Sequence, residues 1–341
     1  MLTGDKSFGI EAARTKRVLI IGAGAVGCAL AATLLRHNVH VTLVARGATL
    51  AALRANGLRL RDEFGVYRLY PELVETLPDA RADLLILALK AQQLPPLAAI
   101  LAQRQELVVP VVNGIPFWFT SRGMAARELS PQDRLRHAIS AHRLAGCGAY
   151  LMARLEAPGQ VYCPRPPRLQ LAALTQQGRA PLRCCADFLR AGGVEVDITA
   201  DPSEMMWSKL LANAATNPLS VISHTTLRQI SQDAGLYDCA RSIAQEMVAL
   251  GRAAGLSLPK EPAACLQAIM HAGDHITSMR QDFEAGRLLE LEAICHAPLE
   301  MATRLGVAMP VFRTIVSLVH HAAETRSHGQ SAAMPQMQLG A

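Results

Sequence analysis

Lys209, Asn213 and Asn217 stand four residues apart in the stretch Trp207-Ser-Lys209-Leu-Leu-Ala-Asn213-Ala-Ala-Thr-Asn217-Pro218. At 3.6 residues per turn, that spacing puts one ammonium and two carboxamides in a single stripe along a helix. Such a row aligns hydrogen-bond donors for an anionic or carbonyl-bearing ligand, although the polar face of an ordinary amphipathic helix has the same look. Leu210, Leu211 and Ala214 fall on other faces, where they can pack. Pro218 removes a backbone donor and predicts a kink or a stop near the end of the stripe.

A second constellation is Gly22-Ala-Gly24-Ala25-Val26-Gly27, set between an apolar run and a helical pattern. In that setting the first glycine permits a tight turn, the second lets backbone approach a pyrophosphate, and the third lets helix and strand pack closely. The free N–H groups and positive dipole end of the helix then face the phosphates, around Ala25 and Val26. An NAD site places an acidic residue about 20 residues further on, to hold the ribose 2′-hydroxyl. Here the next apolar run ends Val44-Ala45-Arg46, and no Asp or Glu occurs between Glu11 and Asp62. A guanidinium suits a 2′-phosphate, so the expected cofactor is NADP(H), with Arg46 as its discriminating contact.

The elements that must position these groups follow from hydrophobic pattern. Val18–Ile21, Val39–Val44, Leu84–Ala88 and Leu107–Val112 are short apolar runs, and Ala25–His37 between the first two has helical spacing. Alternation of this kind predicts βαβ units and a parallel sheet covered on both faces. Beyond Ala200-Asp201-Pro202 the pattern turns helical: 204–216, 234–254, 263–286, 290–305 and 311–325. Asp201 or Ser203 can cap the first of these helices. The expected fold class is α/β, a Rossmann-type doubly wound parallel sheet over residues 1–200 followed by an all-helical domain over 201–325. Residues 1–15 and the aperiodic 326–341 read as flexible ends, and Pro116–Asp133 as a long irregular loop.

Composition narrows the classes of function. With 341 residues, half of them hydrophobic, the chain can bury two domain cores and is not a disordered segment. Eight cysteines show no C-x-x-C pair, which removes zinc-ribbon and thioredoxin-type motifs and fits a reducing cytoplasm. Val18–Leu35 carries no charge, but three glycines interrupt it and no second span follows, so a membrane helix is not expected. Within the net charge of +6, residues 12–61 hold eight basic side chains and no acidic one. That concentration reads as an attraction for a cofactor pyrophosphate and 2′-phosphate rather than for nucleic acid, since no basic helix or aromatic-interleaved patch accompanies it.

The order of motifs extends this reading. Gly22-x-Gly24-x-x-Gly27, Leu89-Lys90-Ala91-x-Gln93, Asn113-Gly114, the Trp207–Pro218 stretch, Ser278-Met279-x-Gln281-Asp282 and Glu290-Leu-Glu292 follow one another from about Lys16 to about Val319. This sequence resembles the ketopantoate reductase (2-dehydropantoate 2-reductase) family. The resemblance implies NADPH-dependent reduction of a 2-oxo acid, foremost 2-dehydropantoate to pantoate, in a cleft between the two domains. It implies Lys209 as general acid, Glu290 as its orienting partner or a contact for the substrate hydroxyl, and Asn113, Asn213, Asn217 and Ser278 as substrate contacts. Lys90, Gln93 and Asn113 would border the nicotinamide, and a homodimer through the helical domain would be in keeping. A reductase acting on a different 2-oxo acid, or an NADP-sensing protein without catalysis, are the alternatives.

The chain departs from the family in three places, one of them Leu289 where a threonine is common. After Asn113-Gly114 it reads Ile115-Pro116-Phe117-Trp118-Phe119, and after Glu290-Leu-Glu292 it carries Cys295-His296 where Asn-Gly is common. The three aromatics either reshape an apolar substrate pocket or anchor the following loop. His271 and His275 share helical spacing but lack a third ligand, so no metal is expected. His320-His321 read as decoration of a helix end, and Cys184-Cys185 as two small buried residues.

Overall fold

A computed structural model of the chain describes residues 17–119, 133–258, 266 and 273–332. Strand β1 (Arg17–Ile21) leads through the glycine turn into helix α1 (Ala25–Arg36), then β2 (His40–Val44), α2 (Gly47–Asn56), β3 (Leu58–Arg61), β4 (Val66–Leu69), β5 (Glu72–Val74) and β6 (Leu84–Leu87). A short helix α3 (Ala98–Ala102) precedes β7 (Leu107–Pro110), which stops two residues before the apolar run does. After α4 (Asp133–Ala138) come β8 (Ala145–Tyr150), β9 (Arg154–Ala157), β10 (Gln160–Tyr162), β11 (Arg168–Ala173), α5 (Arg179–Ala191) and β12 (Glu195–Thr199).

The central sheet has the order β5-β2-β1-β6-β7, and every pair in it is parallel. Connections run outward to either side from β1, so the crevice between the carboxyl ends of β1 and β6 is the switch point where such sheets take ligands. Val18, Ile20, Leu85, Ile86 and Val109 are fully buried, as strands covered on both faces require. Two smaller sheets, β4-β3-β10-β9 and β12-β11-β8, complete the domain.

The helical domain is built around α6 (Pro202–Ser223). Asp201 caps it, its carboxylate accepting from the N–H groups of Ser203 at 2.8 Å and Glu204 at 2.9 Å, and Pro202 occupies the first helical position. The helix does not stop at Pro218 but continues to Ser223, ending where His224 turns left-handed at φ 53°. Pro218 costs one backbone hydrogen bond, yet it lies in a stretch from Ala214 to Val221 that is buried throughout, and packing holds the helix. Helix α7 (Leu227–Gln232) and α8 (Ala234–Ala253) follow, then α9 (Ser278–Glu284), α10 (Ala297–Leu305) and α11 (Pro310–Ala332). Helix α6 packs on α8, α9 and α11, and reaches β8 of the first domain. Trp207, fully buried, ties α6 to α8 through its indole N–H, which donates to the Met247 carbonyl at 3.0 Å.

Several expectations need correction. The pattern over 263–286 is not one continuous helix: Gly273 takes φ 66°, the residues from there to Thr277 are not helical, and α9 starts at Ser278; of 263–272 only Leu266, which is helical, is described, and His271 lies outside the described residues. Glu290–Leu305 is not one α-helix: Glu292–His296 forms a π-turn ahead of α10. The expected tail from 326 is helical to Ala332, so His320 and His321 lie inside α11 rather than at its end. Cys184 is exposed and only Cys185 is buried. Of the loop expected over 116–133, residues 120–132 lie outside the described residues.

The basic cluster is also not where it was expected. Arg17 opens β1 and Arg36 closes α1, both at the far end from the glycine turn by roughly 17 Å of strand or helix. Arg36 pairs with Asp62 at 2.6 Å, and Arg61 pairs with Glu156 on the small sheet. Of the described members, Arg46 stands just past the carboxyl end of β2, at the ligand-binding edge.

Candidate active site

The glycine turn has the build of a dinucleotide cradle. Gly22 takes φ 113° and donates its N–H to Val44 at 3.2 Å, while a side chain there would enter the Ala88 carbonyl and lie 2.8 Å from Leu89. A methyl group at Gly27 would overlap the Gly22 carbonyl oxygen and lie 3.2 Å from Ala88 Cβ. At Gly24, by contrast, a methyl group would have nothing within 4 Å. Gly22 and Gly27 are therefore filled in by protein, and Gly24 faces open space at the start of α1, which has no acidic residue in its first turn. An anion is favoured at such a helix start. Arg46 is exposed, with its Nε 3.4 Å from the Glu75 carbonyl oxygen, so its guanidinium keeps donors free for a ligand.

Lys209 and Asn213 face a cavity between the domains. Its lining comes from three places: Pro110, Val112, Asn113, Gly114, Pro116 and Trp118 at and after the end of β7, Cys147 and Gly148 from β8, and Met206, Lys209, Leu210 and Asn213 from α6. Burial pulls the Lys209 ammonium below the usual lysine range, opposed by the nearby Cys147 and Glu290. The Cys147 thiol is pushed up to about 12 by burial, with Lys209 drawing it down. Burial thus keeps the Cys147 thiol neutral at ordinary pH and eases loss of the Lys209 proton.

Two polar links cross between the domains beside this cavity. Asn113 donates through Nδ2 to the Glu290 carboxylate at 2.9 Å. Burial raises the Glu290 carboxyl above the usual carboxylate range, Asp282 adds to the rise, and Asn113, Lys90 and Lys209 oppose it. Lys90, three residues past β6, donates to Asp282 at 2.8 Å and to the Leu288 carbonyl. Asp282 also pairs with Arg287 at 2.7 Å. Gly114 makes the closeness possible: at φ 83° it presses on Ala293, where a Cβ would lie 2.5 Å from the Ala293 Cβ, and Ile115 N–H donates to the Ala293 carbonyl at 3.2 Å.

The remaining residues singled out in the sequence lie at the margins. Asn217 is buried beyond the cavity and its carbonyl accepts from Ser220 Oγ at 2.8 Å; Ser220 in turn meets Thr277 Oγ1 at 2.6 Å. Thr277 caps α9, leaving Ser278 exposed at the first position of that helix. Gln93 turns its carboxamide back to the Lys90 N–H at 3.1 Å. The aromatic segment divides its labour: Phe117 is buried in the sheet core, Phe119 in the helical core with its ring 6.0 Å from Trp207, and Trp118 between them lines the cavity. Cys147, Gly148 and Met206 were not singled out in the sequence, whereas Trp118 is the one of the three aromatics that reaches the pocket. Cys147 and Gly148 sit on a strand of small residues, Ala-Gly-Cys-Gly-Ala, that carries no strand signal. Among the described residues, no group of three or more potential ligands is arranged to hold a metal ion, and no helix is long and apolar enough to cross a membrane.

Comparison with known proteins agrees with this geometry. The model of the family described as "Ketopantoate reductase PanE/ApbA" matches residues 18–176, and that of its C-terminal domain matches residues 201–323. A 2-dehydropantoate 2-reductase of Mesorhizobium japonicum is 29% identical over 323 residues, covering 91% of this chain and 98% of the relative. The crystal structure of a putative ketopantoate reductase from Ralstonia solanacearum MolK2 superposes with a TM-score of 0.81 at 28% identity, covering 92% of this chain and 99% of that one. D-mandelate dehydrogenase, solved with NADH and anilino(oxo)acetate, shares the fold with a TM-score of 0.81 at 22% identity, over 91% of this chain and 99% of that one. With two family models spanning most of its length over a dinucleotide cradle and a lysine-bearing cleft, this chain belongs to the ketopantoate reductase family of NADP-dependent oxidoreductases.

Proposed function

We propose that this chain reduces the carbonyl of a 2-oxo acid in the cavity between its domains, with 2-dehydropantoate as the substrate that its curated relatives' names indicate. The observation that carries the reading is the convergence of Lys209, Asn213 and Asn113 on one cavity beyond the carboxyl end of β7. Gly22, Gly24 and Gly27 with the start of α1 would hold the dinucleotide's pyrophosphate, and Arg46 its 2′-phosphate. When bound, the cofactor supplies the hydride. The protein's own part is electrostatic. Oxygen gains negative charge as the carbonyl is reduced, so an ammonium beside it stabilises the transition state more than the bound substrate.

Lys209 donates its Nζ proton to that oxygen. Burial holds its pKa below the usual lysine range, which makes it a readier proton donor than a solvated lysine. Asn113 and Asn213 offer carboxamides to the carboxylate and carbonyl, and Asn113 also holds Glu290 in place. Glu290 supports the charged form of Lys209. A second reading keeps the reaction and changes the group attached to the carbonyl, and Trp118 in the cavity wall favours it.

The test is steady-state oxidation of NADPH across a panel of 2-oxo acids that includes 2-dehydropantoate. Turnover is expected for at least one, and Lys209→Met is expected to lower kcat by about 10²–10⁴-fold while NADPH still binds. Binding of NADPH without oxidation on any member of the panel would overturn the proposal.

A further inference from the structure

We infer that Tyr150 is a positioning residue for the proton donor: its ring holds the Lys209 ammonium in place and favours the charged form. The inference rests on the reductase reading above and concerns how the donor is kept ready.

Strand β8 and helix α6 lie side by side, and their repeats match. Gly146, Gly148 and Tyr150 alternate onto one face of β8, while Pro202, Met205 and Lys209 share one face of α6. A Cβ at Gly146 would lie 3.2 Å from Pro202 Cβ and 3.4 Å from Met205 Cε, and one at Gly148 would lie 3.7 Å from Met205 Cγ. Two residues of strand and four of helix each advance about 6–7 Å, so the next pair along is Tyr150 and Lys209. There the Lys209 Nζ stands over the Tyr150 ring, 5.7 Å from its centroid. The glycines let the helix come close, and Tyr150 is the first large side chain that this face of the strand presents to it. Its ring is folded back along β8, where a Cβ at Gly148 would lie 3.5 Å from Tyr150 Cε2. The hydroxyl donates to Gln170 Oε1 on β11 at 3.4 Å.

An ammonium within about 6 Å of a ring centroid is drawn to the negative face of the ring, and more strongly where water is excluded. Lys209 is such a case, since burial pulls it below the usual lysine range. The ionisable groups that face it are Glu290 and Cys147. Glu290 is shared with Asn113, and Arg168, beside Tyr150, is paired with Asp197 at 2.6 Å. A neutral ring differs from a carboxylate in one useful respect. It attracts the ammonium but offers no lone pair to receive the proton, which stays available for the substrate oxygen. Tyr150 does not line the cavity, so it acts through Lys209 and not on the substrate.

The experiment compares the wild type, Tyr150→Phe and Tyr150→Leu by two measurements, with NADPH affinity and Tm followed in parallel. One is kcat and KM against pH for the best 2-oxo acid. The other is the rate at which acetic anhydride labels Lys209 against pH, followed by mass spectrometry, which reads the ammonium without turnover. Tyr150→Leu is expected to move both midpoints to lower pH by about 0.4–1, and so to lower kcat above the midpoint by about 2–10-fold. KM and NADPH affinity should change little. Tyr150→Phe keeps the ring and should restore both midpoints. No movement in Tyr150→Leu overturns the inference, and so does an upward one, the sign expected if the ring only kept water from Lys209. Loss of the basic limb in Tyr150→Phe also overturns it, because the limb would then belong to the phenol. If Tyr150→Leu fails to fold, Tyr150→Met takes its place. A wild type that turns over no 2-oxo acid sinks the reductase reading, and the labelling midpoints then decide by themselves whether Tyr150 supports the ammonium.

Discussion

Replacing Gly114 by alanine tests whether the two domains meet as closely as the cavity requires. At φ 83° an L-residue is strained, at a cost of about 1–2 kcal/mol. The new methyl group would also enter the Ala293 carbonyl and lie 2.5 Å from Ala293 Cβ. Overpacking of that kind costs about 1–3 kcal/mol, so the sum is about 2–5 kcal/mol. At about 2–4 °C per kcal/mol for a domain of 150–250 residues, Tm should fall by about 4–20 °C. The clash can be relieved only by moving the Asn113–Gly114 corner away from the π-turn, which breaks the Asn113–Glu290 bond of 2.9 Å. A shift of about 1 Å in groups that position substrate can cost about 10²-fold in rate. The assays are thermal unfolding, kcat/KM for the best 2-oxo acid, and an NADPH fluorescence titration, the last expected to change little because the glycine turn lies elsewhere. Ala293→Gly in the same chain should not rescue the variant, since the chief obstacle is a backbone carbonyl. Wild-type Tm and kcat/KM in Gly114→Ala would refute the reasoning, and rescue by Ala293→Gly would refute the assignment to the carbonyl.

The cofactor cradle predicts opposite behaviour at two glycines. Gly24→Ala should keep the wild-type Tm yet weaken NADPH, because its methyl group meets no protein atom; Gly27→Ala should lower Tm, because its methyl group meets the Gly22 carbonyl. Equal Tm losses would mean that Gly24 is not open to a ligand. Arg46→Asp should raise Kd for NADPH far more than for NADH, and an equal loss of both would show that the guanidinium does not serve the 2′-phosphate. The pH profile tests Lys209, which must be protonated to act and is held below the usual lysine range by burial. Its rate should fall as pH rises through that lowered value. Glu290→Gln removes a charge that favours the ammonium, so the basic limb should move to lower pH; an upward move would exclude the proposed coupling.

What the sequence disclosed and what it hid divide along physical lines. Val18–Ile21 and Leu84–Leu87 were legible because strands buried on both faces must be apolar at every position. The stripe on α6 was legible because its spacing and its cap, Asp201, are local. The strands of the smaller sheets were not: Leu58-Arg-Leu-Arg is four residues long, and β8 is alanine, glycine and cysteine up to its closing Tyr150. The basic run over 12–61 misled because proximity in sequence is not proximity in space, and a strand or a helix carries its two ends apart. The helix expected over 263–286 is broken by a local feature, the left-handed Gly273, and the π-turn at Glu292–His296 lies against Gly114 some 180 positions earlier, a contact that no window of sequence contains.

That contact belongs to the segment in which the two domains become one site. From Asn113 to Phe119, successive residues are claimed by different partners: Asn113 by Glu290, Gly114 and Ile115 by the π-turn, Phe117 by the sheet, Phe119 by α6. Pro116 and Trp118 are left to the cavity. Because the anchors are shared between two cores, Ile115 and Phe119 in the helical one and Phe117 in the sheet, displacing one is resisted by the others. The polar half of the cavity, Lys209 and Asn213, comes from a helix whose surroundings are equally buried. A site framed in this way holds its polar groups and its apolar lining, Trp118 included, in one fixed relation.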